Sequence, residues 1–144
     1  MRTPLPLSSE AISTRQATSM GLTHASLRLT NTFTGASVEV EALVDSGAMP
    51  LCIPESVARQ LGFDTTEVYS ARIKIADASR IDVPVVAPIR IDFANRSCTT
   101  DAYVLGDEPL IGVVPIEAMD CIIEPRHQQL VVNPAHPDRA EIRV

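Results

Sequence analysis

The sequence has no tryptophan, and aromatic residues make up 3% of it. A core must therefore be packed from valine, isoleucine, leucine and alanine, and the frequency of β-branched residues favours strands over helices. It has no lysine- or arginine-rich run. With a net charge of −6, that excludes nucleic acid and anionic membrane surfaces as expected partners. No apolar stretch approaches the roughly 18 residues of a membrane-spanning helix. Arg2 is followed by no long apolar segment, so the start is not read as a secretory signal. The three cysteines, Cys52, Cys98 and Cys121, are odd in number and far apart. They read as small buried hydrophobes in a reducing, cytoplasmic setting and not as a disulfide framework. Neither a C-x-x-C nor an H-x-x-x-H spacing occurs among these cysteines and His24, His127 and His136, so no metal and no cofactor is expected.

What is present is the material for one domain: 144 residues, 45% hydrophobic, with eleven prolines and six glycines to make turns. Residues 1–19 are rich in Ser, Thr and Pro without any period and read as a disordered leader, and Met20 is a second candidate start. From Thr23 the period is two, with Leu27 and Leu29 on one face. Asn31 to Gly35 makes a hairpin connection, and Ser37 to Val44 alternates again. Met49 to Ile53 reads as a loop. Pro54 to Gly62 reads as a short helix with Val57, Ala58 and Leu61 on its apolar face, proline near its start and glycine past its end. Further strands are expected over Thr66–Ile75, Arg80–Val86, Ile89–Phe93, Cys98–Leu105, Cys121–Ile123 and Leu130–Val132. One or two helical turns fall at Pro115–Met119. Residues 134–144 read as a C-terminal tail. The fold class is all-β, a closed or folded barrel with one or two short helices.

The stretch that organises the chain is Ala42-Leu43-Val44-Asp45-Ser46-Gly47-Ala48. An apolar strand delivers one carboxylate to its end, where tiny residues follow. A charge leaving a strand among apolar neighbours is costly unless hydrogen-bonded or sharing a proton. Asp-Ser-Gly is also ordinary turn chemistry, so the motif gains weight only from what accompanies it. A polar-tipped hairpin follows over residues 73–83, and Leu110-Ile111-Gly112 leads into the second helix.

This ordered set resembles the retroviral-type (retropepsin-like) aspartic proteases, above all their small single-lobe prokaryotic members. The matching segments are Met20-Gly21-Leu22, Val44 to Ala48, Leu110 through Glu117, and Glu124-Pro125-Arg126, so the resemblance spans residues 20–133. It implies a retropepsin-like barrel lobe acting as a homodimer, with Asp45 as the catalytic residue. The chemistry needs two carboxyls about 3 Å apart sharing one proton. This chain carries one motif, so the second Asp45 would come from a second copy on a two-fold axis. One carboxylate would activate a water while the other donates to the scissile carbonyl. Ser46, Gly47 and Ala48 would support the active-site loop. Leu110, Ile111 and Gly112 would pack beneath it. Ile75, Ala76, Asp77, Ala78 and Ser79 would form a flap over a bound peptide or protein substrate. Two departures stand out: Ala78 replaces the glycine many relatives carry at the flap tip, and Met49 stands where retroviral enzymes place an aspartate.

Other chemistries fit less well. Asp77, Asp82, Asp92 and Asp101 read as hairpin and turn residues. Ser46 lacks the Gly-x-Ser-x-Gly frame of a hydrolase nucleophile. Cys52 has no basic neighbour to make it a thiolate. The expected function is an aspartic endopeptidase. The alternative is a retropepsin-like dimerisation or peptide-binding module without turnover. A small β-barrel chaperone or toxin–antitoxin-type partner has only size and acidity in its favour.

Overall fold

In a computed structural model of the protein, described here over residues 23–144, the alternation seen in the sequence becomes a closed sheet. β1 (Thr23–Asn31) buries Leu27 and Leu29, and β2 (Ser37–Val44) buries Ala42 and Val44 against them. The two strands pair antiparallel through a turn that uses Asn31 and Gly35. Asn31 is buried, and its side-chain amide donates to the Leu61 carbonyl at 2.9 Å. That bond ties the hairpin to α1 (Glu55–Gln60) and satisfies a polar group that would be costly unpaired.

The remaining strands are β3 (Leu51–Ile53), β4 (Ser70–Lys74), β5 (Arg80–Phe93), β6 (Arg96–Val104), β7 (Leu110–Ile111), β8 (Cys121–Glu124) and β9 (Gln129–Val132), with α2 at Val113–Ala118. The main sheet runs β1-β2-β7-β3-β6-β5-β4, and β1 also pairs with β5. That extra pairing closes the barrel and leaves β4 as an outlying strand joined only to β5. β8 and β9 form a separate hairpin, which reaches β1 through the Thr23 hydroxyl and the Gln128 carbonyl. Fully buried Leu, Ile, Val and Met side chains fill the barrel, which accords with the scarcity of aromatics.

Several boundaries differ from the sequence reading. Leu51–Ile53 is a strand and not a loop. It lies parallel to β6 and antiparallel to β7, and all three of its residues are buried. A three-residue strand covered on both faces carries no period to detect. The strand expected from Thr66 begins at Ser70, because Asp64 accepts from both the Thr66 amide and hydroxyl and holds residues 64–66 in a turn. The two strands expected on either side of Ala87-Pro88 are one strand, β5, with an irregularity between Val86 and Ile89. The expected leader and the Met20-Gly21-Leu22 match lie outside the described residues.

Residues 134–144 form neither helix nor strand, yet they are anchored at His136 and Glu141. Asp120, at a positive φ of 53°, accepts from the Glu141 amide at 2.9 Å, the Asn133 side-chain amide at 3.0 Å and His136 Nδ1 at 2.7 Å. Nearby, the buried Arg96 donates to the His136 carbonyl. The Glu141 and Asn133 donors, then His136, hold the Asp120 carboxyl down at about 2, against an ordinary value of 3.8. A carboxyl lowered by folding stabilises the native state fully above its unfolded value and loses that contribution as pH falls through its folded value. The stability gap between the wild type and Asp120→Asn is therefore expected to be level from pH 7 to about 5 and to shrink between about pH 4 and 2. Urea midpoints measured across that range check this.

Candidate active site

β2 delivers Asp45 to the end of the barrel, and the loop it begins is held by backbone bonds rather than side chains. The Asp45 amide donates to the Ile111 carbonyl at 3.1 Å. Opposite, the amides of Gly112, Val113 and Val114 donate to the carbonyls of Pro50, Ala48 and Met49 at 2.9, 2.9 and 3.0 Å. Residues 45–50 are thus clamped onto the start of α2. Gly112 is required for that closeness: a Cβ built on it would lie 2.6 Å from the Ala48 oxygen and 2.6 Å from the Met49 carbonyl carbon. The expected packing of Leu110, Ile111 and Gly112 beneath the loop is present, with Leu43 and Val44 of β2 parallel to Leu110 and Ile111.

Within the loop, Asp45 Oδ1 accepts the Gly47 amide at 2.8 Å, which fixes one carboxylate oxygen. In the single chain Asp45 is half-buried and not enclosed as the sequence suggested, and Ser46 and Gly47 are exposed. The sequence indicates shielding of the strand that carries Asp45; it does not show that the loop end opens outward.

Facing the loop is the β4–β5 hairpin. Its turn is closed by the Ile75 amide donating to the Ser79 carbonyl and the Ala78 amide donating to the Ile75 carbonyl. Asp77 accepts from the Ser79 amide and hydroxyl, which lowers its carboxyl below the usual range and makes it a turn residue. Ala78 sits at φ 71°, a left-handed conformation that costs a residue with a Cβ about 1–2 kcal/mol. Ala78→Gly is therefore expected to raise stability by about 1 kcal/mol, read as an upward shift of the thermal midpoint. An unchanged or lowered midpoint would contradict it.

Between loop and hairpin lies a cleft of about 490 Å³. Gly47, Ala48, Met49 and Pro50 form one wall, and Ile73 to Ile75 form the opposite one. Cys52, Tyr103, Leu105 and Leu110 make its floor. The loop and Ile75, both named from the sequence, face each other across this cleft. Of the floor the sequence reading named only Leu110: Cys52 was placed in a loop, and Tyr103 on β6 and Leu105 just past its end were not tied to a site. Ala76, Asp77, Ala78 and Ser79 are the exposed tip and do not line the cleft as it stands.

The other carboxylates and the histidines named from the sequence lie apart from this cleft. Asp82 pairs with Arg72 and Asp92 with Arg90 on the surface. His24 meets Glu108, His127 meets Glu124, and His136 meets Asp120. Burial, then the Asp45 charge, pushes the Cys52 thiol up. Burial pushes Cys98 up to about 11 and raises Cys121. All three stay protonated thiols near neutrality, which disfavours thiolate chemistry.

A family profile described as aspartyl protease matches residues 32–114, more than half of the chain. The protein belongs to the aspartyl protease family. Its fold is retropepsin-like. The retroviral protease-like domain of Ddi1 from Leishmania major is similar with a TM-score of 0.52 and 19% identity, over 78% of this chain and 90% of that one. A retropepsin-like aspartic protease from Rickettsia conorii gives 0.52 and 18%, over 75% and 79%. A search of curated protein sequences finds no match. In this aspartyl protease lobe the matched region runs from the β1–β2 turn through the Asp45 loop and the hairpin to the start of α2.

Proposed function

We propose that the protein is an aspartic endopeptidase whose active unit is a homodimer. The observation that carries this reading is Asp45 on a backbone-clamped loop beside a cleft whose opposite wall is the β4–β5 hairpin. One lobe supplies one such carboxylate. General acid–base hydrolysis of a peptide needs two, one to take a proton from water and one to donate to the carbonyl oxygen. Two copies related by a two-fold axis bring Asp45 to Asp45, and the outward-facing loop end with exposed Ser46 and Gly47 leaves room for that approach. Substrate lies extended along the hairpin, bonded through its backbone as an added strand, with alternate side chains entering pockets. The free thiols suit a reducing compartment such as the cytoplasm.

The test is cleavage of a mixed peptide library from about pH 4 to 7, with the rate followed against protein concentration. A dimeric enzyme gives cleavage whose rate rises as the square of concentration below the dimer dissociation constant. The alternative, a peptide-binding module without turnover, is favoured by the strained Ala78 at the hairpin tip. It is the outcome if a protein that sediments as a dimer cleaves nothing.

A further inference from the structure

We infer that His136 is a positioning residue for the Asp45 loop: through Asp120 it fixes the C-terminal end of α2, the helix whose other end clamps that loop. The inference rests on the reading of Asp45 as catalytic.

One short helix serves both ends. α2 (Val113–Ala118) is about 9 Å long. At its start the amides of Gly112, Val113 and Val114 hold the carbonyls of Pro50, Ala48 and Met49. Just past its end Asp120 gathers the Asn133, His136 and Glu141 donors. The Met119 amide donates to the Pro115 carbonyl and the Asp120 amide to the Glu117 carbonyl, each at 3.0 Å. The hydrogen-bonded turn of the helix therefore includes the residue that the C-terminal segment holds.

Packing alone leaves the helix one freedom. Pro115, Ile116 and Met119 are buried and turn its inner face to the core. Apolar burial is non-directional, whereas hydrogen bonds have a preferred direction. The core thus sets how deep α2 sits, and the polar contacts at its two ends set where it sits along its own axis.

The C-terminal segment has no apolar hold of its own. From Pro134 to Val144 every residue except His136 is exposed. A hollow of about 570 Å³ lies between residues 141–143 on one side and α2 with β8 on the other. Polar bonds attach the segment instead: the Asn95 side-chain amide donates to the Pro137 carbonyl at 3.0 Å, and Arg96 donates to the His136 carbonyl. Only His136 sends a half-buried side chain inward, with Nδ1 2.7 Å from Asp120 Oδ2 and Nε2 3.6 Å from Glu141 Oε1. Asp120 is ionised near neutrality, so it accepts and Nδ1 donates.

The test compares full-length wild type with His136→Ala and His136→Asn. Alanine removes the contact with Asp120 and keeps the carbonyl that Arg96 uses. Asparagine puts an N–H donor back near the position of Nδ1. Amide hydrogen exchange at Gly112, Val113 and Val114, followed by NMR, is expected to speed up about tenfold in His136→Ala and to return to the wild-type rate in His136→Asn. Cleavage of one defined peptide is expected to show kcat lowered about tenfold in His136→Ala with KM unchanged, and restored in His136→Asn. Val57→Ala, in α1, is the control for lost stability: it should lower the thermal midpoint without singling out those three amides. Unaltered exchange at the three amides in His136→Ala, acceleration spread evenly over the barrel, or a loss that His136→Asn does not restore overturns the inference. If the wild type cleaves nothing while exchange follows the expected pattern, the peptidase reading falls and the link from His136 to the loop stands. Cleavage with an unaltered kcat in His136→Ala removes the positioning role and leaves the peptidase reading intact.

Discussion

Asp45→Asn is expected to lower peptide cleavage by about a thousandfold or more, with the fold and dimer content unchanged. The reasoning is atomic. Asparagine keeps an oxygen where Asp45 Oδ1 accepts the Gly47 amide at 2.8 Å, so the loop stays closed. An amide cannot accept a proton from water at any pH near neutrality, and in a homodimer both members of the pair are lost together. Positioned acid–base groups contribute about 10²–10⁴-fold each, and groups that act as a unit are lost as a unit. The check is cleavage of one defined peptide by the two proteins at equal dimer concentration, with circular dichroism melts alongside. Turnover that survives the change would place the chemistry elsewhere on the molecule.

Gly112→Ala should lower activity by about a hundredfold, although this residue touches no substrate. Its new methyl group would sit 2.6 Å from the Ala48 oxygen, and both that atom and the Met49 carbonyl carbon belong to backbone that cannot rotate away. Either the loop lifts or α2 shifts. Overpacking of this kind costs about 1–3 kcal/mol of stability, and a displacement of about 1 Å at a catalytic group costs about a hundredfold in rate. The expected pattern is a lower thermal midpoint with a fall in kcat larger than any change in KM. A fall confined to KM would mean that the loop had kept its place and only substrate contacts had changed.

The residues of the candidate site stood out in the sequence more clearly than the architecture around them. Asp45 to Ala48 and Leu110 to Gly112 could be read because they stand in order on either side of a polar-tipped hairpin, although Asp-Ser-Gly alone is ordinary turn chemistry. β1 and β2 could be read because one face of each is buried, which writes a period of two into Leu27, Leu29, Ala42 and Val44. Where both faces are covered, as at Leu51–Ile53, the period vanishes and the strand is lost to view. Thr66 to Tyr69 read as strand on composition, but the Asp64 side chain captures that backbone first. The cleft floor and the Asp120 anchor were invisible for another reason. Cys52 meets Tyr103, and Asp120 meets His136 and Glu141, so each site is made by chain closure rather than by neighbours in sequence.

The pairing of β2 with β7 also sets an order of events during synthesis. Asp45 leaves the ribosome early, but the atoms that shape its loop come from residues 111–114. Contacts between parts of the chain so far apart form late, and domains emerge from their N-terminal end. A nascent chain that stops short of Gly112 carries the carboxylate without the clamp. In the proposed enzyme the capacity to cut peptides would thus wait until most of the barrel has been made, a built-in delay that needs no inhibitor.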